Sequence, residues 1–454
     1  MTDSVINLVT DYLVVGAGAM GMSFLEELIK NSSDIEAIII DTRSAPGGHW
    51  NDAYSFVRLH QPALTYGVNS RSLGSGGADL ASKSLILEHY ELALKDLVAT
   101  GRVKFFAQCE YLEDGRFISL LDDTLYQVKI NAKLVDATCT ITHVPATKEP
   151  NFKFAENVNL IPINGLSKLS NPWQNYLIIG GGKTGIDAVL FLIDNNVSAE
   201  KISWVVPNDS WFLNRDSLRF DNGDLTQFLL NISDAIIDEK NRTPTEILLA
   251  LEQMGVMMRL DRCILPTRYR AATINSAEVI KLQIVKNIIR KGRIEKIEPD
   301  EITFQSGEKM NIDPCTLCVD CSTNSTLFPP KKKVFDGNRI NVQYIRMPPP
   351  SISASIIAAL ELKYPDDEEK KNGVCTVLTP PQMPEDFVAN SYVDNKTIDA
   401  TLKVLGLNWE RQRRSSLMHH VPLFDLLKLV FYMWTKKKLL VKKFEMLLNI
   451  NNLA

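Results

Sequence analysis

The stretch that decides the fold is Asp11–Asn31, DYLVVGAGAMGMSFLEELIKN. It opens on an apolar run, Tyr12–Val15, that reads as a buried strand. Glycines follow at Gly16, Gly18 and Gly21, and then Phe24, Leu25, Leu28 and Ile29 recur at the spacing of one helix face. Strand, tight glycine turn and helix make the opening of a β–turn–α unit. In such a turn the first glycine permits the bend, the second lets a ligand approach the backbone, and the third lets helix and strand pack closely. The helix start offers free N–H groups and the positive end of its dipole, which favour a pyrophosphate. The next strand, EAIIID, ends at Asp41, 25 positions after Gly16, where an acid takes the hydroxyls of an adenosine ribose. Gly16, Gly18, Gly21 and Asp41 are therefore expected to hold a dinucleotide.

The design recurs in NYLIIGGGKTGIDAVLFLIDNN, Asn175–Asn196, about 164 positions on. Tyr176–Ile179 is the strand, Gly180, Gly182 and Gly185 the turn, and Ile186–Ile193 the helix. Its second strand runs into WVVPND with no acid at the tip. An acid there would repel a ribose 2′-phosphate, so its absence leans toward NADP, with Arg215 or Lys201 as cations for the phosphate. GKT invites a P-loop reading, but Leu177 stands where that loop needs glycine. Two dinucleotide sites imply electron traffic between two cofactors, FAD in the first and NAD(P)H in the second.

The expected fold is α/β, with two Rossmann-like dinucleotide-binding domains and a helical C-terminal extension. The NAD(P) domain, 171–290, is inserted into a split FAD domain, 1–170 and 291–360, and the extension covers 361–454. The meander at 292–323 is expected to close the first sheet. The segment NSAEVIKLQIVKNIIRKG reads as helix and Pro365–Gly373 as a solvated linker.

The 454 residues are 45% hydrophobic and 23% charged, with net charge −4, so no general attraction to nucleic acid is implied. The N-terminus lacks the basic and apolar regions of a signal peptide, and no apolar run is long enough to span a bilayer. The expectation is a cytoplasmic chain whose seven cysteines are reduced. Cys315, Cys318 and Cys321 have a C-x2-C-x2-C spacing, but Ser325 stands where a ferredoxin run wants its fourth cysteine. A strand through them points Cys318 and Cys321 to opposite faces, so no metal site is expected. The tail FDLLKLVFYMWTKKKLLVKKFEMLLN is basic and apolar. It reads either as a membrane-surface helix or as a helix packed on the domain with its lysines in water, and the second is preferred.

GGHWNDAYSFVR, Gly47–Arg58, is too polar for a core strand and too aromatic for an idle loop. Together with the acid before it, in DTRSAPGGHW, and with GGGKTGID at the second turn, it resembles the flavin-containing monooxygenases and their relatives. The resemblance covers roughly residues 10–350 and is nearest to a group of FAD/NAD(P)-binding proteins with GGHWNDAY and RLHQP. It implies that Gly47 and Gly48 pass close to the FAD pyrophosphate and that Trp50 covers the cofactor. Thr184 stands for the family's serine, Asp187 is kept, and both join the NAD(P) site. Cys109 and Cys139 fall near the family's adenine-side strands and read as packing, while Cys109 and Thr138 are counted in the cofactor set. Counting from Tyr54 brings His60 to the position of an asparagine beside the flavin. His60, with Gln61, is the catalytic candidate, in either charge state near neutral pH; a structural donor is the alternative. The family's F-x-G-x-x-x-H signature is changed, with Ile163 and Leu169 flanking a retained Gly165.

The implied activity is an FAD-dependent, NAD(P)H-linked oxidoreductase that oxygenates a small substrate. A reductase or oxidase without oxygen insertion, and a cofactor-bound interaction module, stay open. No cysteine pair suits a disulfide reductase, and no G-x-S-x-G elbow suits a serine hydrolase. The loop Thr65–Asp79 is expected to shape the substrate pocket.

Overall fold

The computed structural model describes residues 5–76, 79–139, 144–219, 224–322, 330–347 and 349–449. Strand Ile6–Val15 lies at the centre of the first sheet, parallel to Ala37–Asp41 on one side and to Leu125–Asp136 on the other. Val103–Ala107 extends the first side. Alternation divides the strand between two cores: Tyr12 and Val14 join Ala37 and Ile39, whereas Leu13 joins Ile38 and Ile40. Helix Ala19–Lys30 covers the first of these faces and packs on helix Pro350–Lys363, which is buried almost throughout. An antiparallel meander, Cys109–Tyr111 and Arg116–Ser119, leads into Leu125–Asp136.

The second sheet is wholly parallel, in the order Asn287–Ile289, Ile202–Val205, Asn175–Ile179, Thr316–Asp320, Leu160–Pro162. It repeats the plan of the first down to its hydrogen bonds. In the first sheet Asp136 Oδ1 accepts from the Thr138 N–H at 3.0 Å and hydroxyl at 2.6 Å. In the second, Asp320 Oδ1 accepts from the Ser322 N–H at 2.8 Å and hydroxyl at 2.6 Å. VDAT and VDCS are thus the same turn beside the two glycine loops.

That pairing changes the expected boundaries. The segment at 292–323 does not close the first sheet. Ile294–Ile297, Glu301–Phe304 and Lys309–Asn311 form a small sheet with Lys153–Phe154, and Thr316–Asp320 sits beside Asn175–Ile179 in the second. Only Phe335–Asp336 and Arg339–Asn341 return to the first sheet, on Leu125–Asp136. The second unit accordingly draws on strands from 153 to 320 rather than 171 to 290. The cysteine spacing finds its place here: Cys318 packs into one core and Cys321 into the other across the sheet, while Cys315 is exposed.

Two further segments differ. The run from Asn275 is helical only over Ser276–Leu282, where Asn275 caps the start; its Ile-rich end, Asn287–Ile289, becomes an edge strand. Pro365–Gly373, expected as a solvated linker or loop, is mostly exposed, but Glu368–Val374 is helical and within it Lys371 is fully buried. Its ammonium donates to Glu361 Oε2 at 2.6 Å and to the Pro365 carbonyl at 2.9 Å. Removing one partner of such a pair costs about 3–5 kcal/mol. The extension continues through helices Pro384–Val404, Leu407–Arg411, Leu417–His420 and Leu423–Leu447. No helix among the described residues is long and apolar enough to cross a membrane.

Candidate functional site: a cleft between two glycine turns

The two turns are built alike. Gly16 and Gly180 take φ of +100° and +130°, which an L side chain rarely adopts. Their N–H groups donate to the carbonyls of Ile40 at 2.8 Å and Val205 at 3.0 Å. Gly21 and Gly185 lie against those same first glycines: a Cβ on either would come within 1.9 Å of the Gly16 or Gly180 carbonyl oxygen. Helices Ala19–Lys30 and Lys183–Asp194 start at Gly18 and Gly182 with no side-chain cap and no acid in the first turn. Both starts keep uncapped N–H donors, and a Cβ on Gly182 would meet nothing within 4 Å. This is the donor set that a pyrophosphate requires.

The Gly47–Arg58 stretch closes over the first turn. Gly47 and Gly48 have positive φ, and the Gly47 N–H donates to the Ala17 carbonyl at 2.8 Å. A Cβ on Gly48 would stand 3.1 Å from the Gly18 Cα. Asp41 sits at the strand tip, its Oδ2 accepting from the Ala17 N–H at 2.7 Å. The Trp50 indole donates to the Tyr66 hydroxyl at 2.7 Å, which fixes the ring.

Both turns open onto one cleft of about 990 Å³. Gly16, Gly18, Asp41, Gly48, Trp50 and Thr138 line it from the first unit, and Gly180, Gly182, Thr184 and Asp187 from the second. His60 and Gln61 also line it. Gly21, Gly47 and Gly185 lie behind it as packing positions. Cys109 does not reach it; its thiol is buried with Leu13 and Phe117 beneath the meander, which matches the packing alternative.

A bridge joins the two halves. The Tyr54 hydroxyl donates to Asp187 Oδ2 at 2.5 Å, and Lys183 pairs with Asp187 Oδ1. Burial and the Asp187 charge hold the Tyr54 phenol well above its ordinary range. His60 stands nearby with its carbonyl held by Arg215 at 3.0 Å and by the Thr273 hydroxyl. His60 Nδ1 lies 3.3 Å from both the Thr273 backbone nitrogen and the Thr273 hydroxyl oxygen. Burial, with Lys183 and Arg215 beside it, pushes the imidazole down to about 3. His60 is therefore neutral near pH 7, and the expectation of two charge states does not hold.

The cations expected at the second site also differ. Arg215 is buried and pairs with Glu278 at 2.7 Å, and Lys201 is exposed outside the cleft. Arg268, Arg270 and Arg293 line the cleft instead. None of them has a carboxylate partner among the described residues. The Arg270 Nε is buried without a hydrogen-bond partner. Burial and the two neighbouring guanidiniums lower its pKa, which marks a site short of negative charge. Arg268 and Arg270 share one face of strand Arg268–Ile274, a signal present in TRYRAAT but not read from it. The loop from Thr65 to Asp79, of which 77–78 lie outside the described residues, is mostly tied to the protein. Arg414 donates to the carbonyls of Tyr66 and Val68 at 2.6 Å each, and Glu26 accepts from the Asn69 N–H at 2.6 Å.

No protein-family model matches the chain. A Mycobacterium tuberculosis protein, "Uncharacterized protein Rv2000", is 36% identical over 397 residues, covering 85% of this chain and 73% of that one. "Uncharacterized protein Mb2023" of Mycobacterium bovis matches to the same extent. The chain belongs to the family of these mycobacterial proteins. Its fold is that of cyclohexanone monooxygenase. Cyclohexanone monooxygenase with bound ε-caprolactone superposes with a TM-score of 0.55 at 12% identity, over 88% of this chain and 98% of that one. The NADP+-bound enzyme from Rhodococcus sp. Phi1 gives 0.50 at 13%, over 89% and 91%.

Histidines with depressed pKa give the fold an acid limit. Burial is the main cause that pushes His49, His89 and His420 down to about 4 and His60 to about 3. Unfolded histidines titrate near ~6.5, so between that pH and 4 the unfolded chain binds protons the native chain refuses. Stability is full above that window and falls as pH drops through it, by at most ~1.4 kcal/mol per pH unit per histidine. Glu27, Asp320 and Asp394, raised chiefly by desolvation, act in the opposite sense. The urea midpoint should fall between pH 7 and 5, and His60→Gln should flatten that fall. An unchanged slope in the variant would remove His60 from the account.

Proposed function

We propose that this chain is an FAD-dependent, NADPH-linked oxidoreductase of the monooxygenase-like type, acting on a small substrate. The observation that carries the reading is that two dinucleotide turns face one cleft. The FAD pyrophosphate would lie at Gly18 and the start of helix Ala19–Lys30, with Asp41 at the adenosine ribose and Trp50 against the cofactor. The NADPH pyrophosphate would lie at Gly182, with Arg268, Arg270 and Arg293 available to its 2′-phosphate. Bound FAD would supply a carrier that takes hydride from NADPH and passes electrons to oxygen or another acceptor. Tyr54, Asp187 and Lys183 hold the two halves in register. His60 would contribute a neutral ring to the cleft wall.

The test is direct. Purified protein should be yellow, release FAD on denaturation, and bleach anaerobically with NADPH. A colourless protein that takes up no added FAD ends the reading. A reductase or oxidase is favoured by one feature. Ile163 is fully buried and Leu169 packs on the same core, so the altered signature sends no polar group into the cleft. Hydrogen peroxide equal to the NADPH consumed would choose that reading, and labelled oxygen in a product would choose oxygenation. Flavin that neither NADPH nor NADH bleaches would indicate an interaction module.

A further inference from the structure

Helix Leu423–Leu447 has one face on the protein and one in water. Leu426, Leu429, Leu440 and Phe444 are buried with Phe228 and Phe387. The Tyr432 hydroxyl donates to Asp234 Oδ1 at 2.6 Å and the Lys443 ammonium to the Asp238 carbonyl at 2.8 Å, so the helix is anchored. The opposite face is apolar for three turns. Leu423, Leu427, Val430, Phe431 and Trp434 follow helical spacing, and Phe424 flanks them. Trp434 is 80% exposed, Phe424 70% and Phe431 63%. The packed reading of the tail thus accounts for one face and leaves the other unexplained.

Charge identifies the occupant. The helix carries Lys428, Lys436, Lys437, Lys438, Lys442 and Lys443 against only Asp425 and Glu445, on a chain whose net charge is −4. Lys428 pairs with Asp425 and Lys437 with Asp399. Lys436, Lys438 and Lys442 are exposed and have no carboxylate partner among the described residues. Exposed aromatic and aliphatic side chains followed by unpaired ammoniums suit the boundary between headgroups and acyl chains of an anionic bilayer. A second copy docked two-fold on this face would bring apolar turns together, but its facing helix would offer the lysines only Asp425, already paired with Lys428, and Glu445.

We propose that this helix seats the protein peripherally on anionic lipid, with Phe424, Phe431 and Trp434 at acyl depth and the lysines among the headgroups. The test is co-sedimentation of the full chain with vesicles of phosphatidylcholine alone or mixed with phosphatidylserine. Binding should require phosphatidylserine, weaken at high salt, and bring tryptophan within quenching range of brominated lipid. Lys436→Glu/Lys438→Glu/Lys442→Glu should weaken binding by about 100-fold or more, given the attraction of each basic residue to an anionic surface. Phe431→Glu/Trp434→Glu should abolish co-sedimentation with the phosphatidylserine vesicles, with thermal melting unchanged because these side chains are exposed. Two results would overturn the proposal. One is equal or no binding to both vesicle types. The other is a concentration-dependent dimer that the Phe431→Glu/Trp434→Glu variant loses, which would assign the face to a second copy.

Discussion

Arg270→Ala is expected to raise the KM for NADPH by roughly 10- to 100-fold, while the kinetics with NADH and the flavin content stay as they are. The range follows from losing one buried, charge-assisted contact to phosphate, about 1.5–3 kcal/mol. Arg270 is the residue to test because of what it lacks. Arg215 is committed to Glu278 and the His60 carbonyl, and Arg290 to Asp209. Arg270 has a buried, unpartnered Nε and two further arginines beside it. A cation left in that state costs folding energy and is compensated only when an anion arrives. Melting of the ligand-free variant should therefore be unchanged or higher, which separates a binding role from a structural one. Arg270→Lys should fall between, because a single ammonium keeps charge but not the planar fork. If NADH and NADPH suffer alike, the arginines do not read the 2′-phosphate.

The two glycine units were legible because their information is local. A strand, a bend that needs positive φ at Gly16 or Gly180, and a helix that needs a missing Cβ at Gly21 or Gly185 all lie within about twenty residues. Sheet membership was less legible. Thr316–Asp320 is a plain apolar strand, and nothing in TLCVD states that its neighbour is Asn175–Ile179 rather than a strand of the first sheet. Pairing across such a separation is set by which edge the chain reaches, not by pattern. Within the site, Asp41, Gly48 and Trp50 could be placed from motifs. The charge state of His60 could not, because Thr273, Lys183 and Arg215 come from three distant segments. Arg270 was missed for the related reason that an unpaired guanidinium is visible only once its surroundings are assembled. Lys371 fails in the other direction: a charge run predicts water, which holds for most of its neighbours, and the buried carboxylate of Glu361 draws this one side chain inside.

Gly21→Ala and Gly185→Ala should separate the two halves of the cleft. A methyl at either position lands 1.9 Å from a backbone carbonyl oxygen, and that oxygen belongs to the turn itself. The neighbour cannot rotate away as a side chain would, so helix and strand must part or the turn must reshape. Overpacking of this kind costs typically 1–3 kcal/mol, occasionally more, and its damage falls where the uncapped N–H groups are aimed. Gly21→Ala also crowds the Ala137 methyl at 3.2 Å, next to Thr138 on the cleft wall. It should yield protein largely free of flavin, with no NADPH-dependent turnover. Gly185→Ala crowds the Trp204 indole, which donates to the Gly180 carbonyl at 2.8 Å. That variant should purify yellow, with near-normal FAD content, yet need at least ten times more NADPH to bleach. Chemical reduction by dithionite should still bleach it fully. The measurements are flavin-to-protein ratio and the anaerobic bleaching rate against NADPH concentration. Loss of flavin in Gly185→Ala, or retained flavin in Gly21→Ala, would contradict the assignment of one cofactor to each turn.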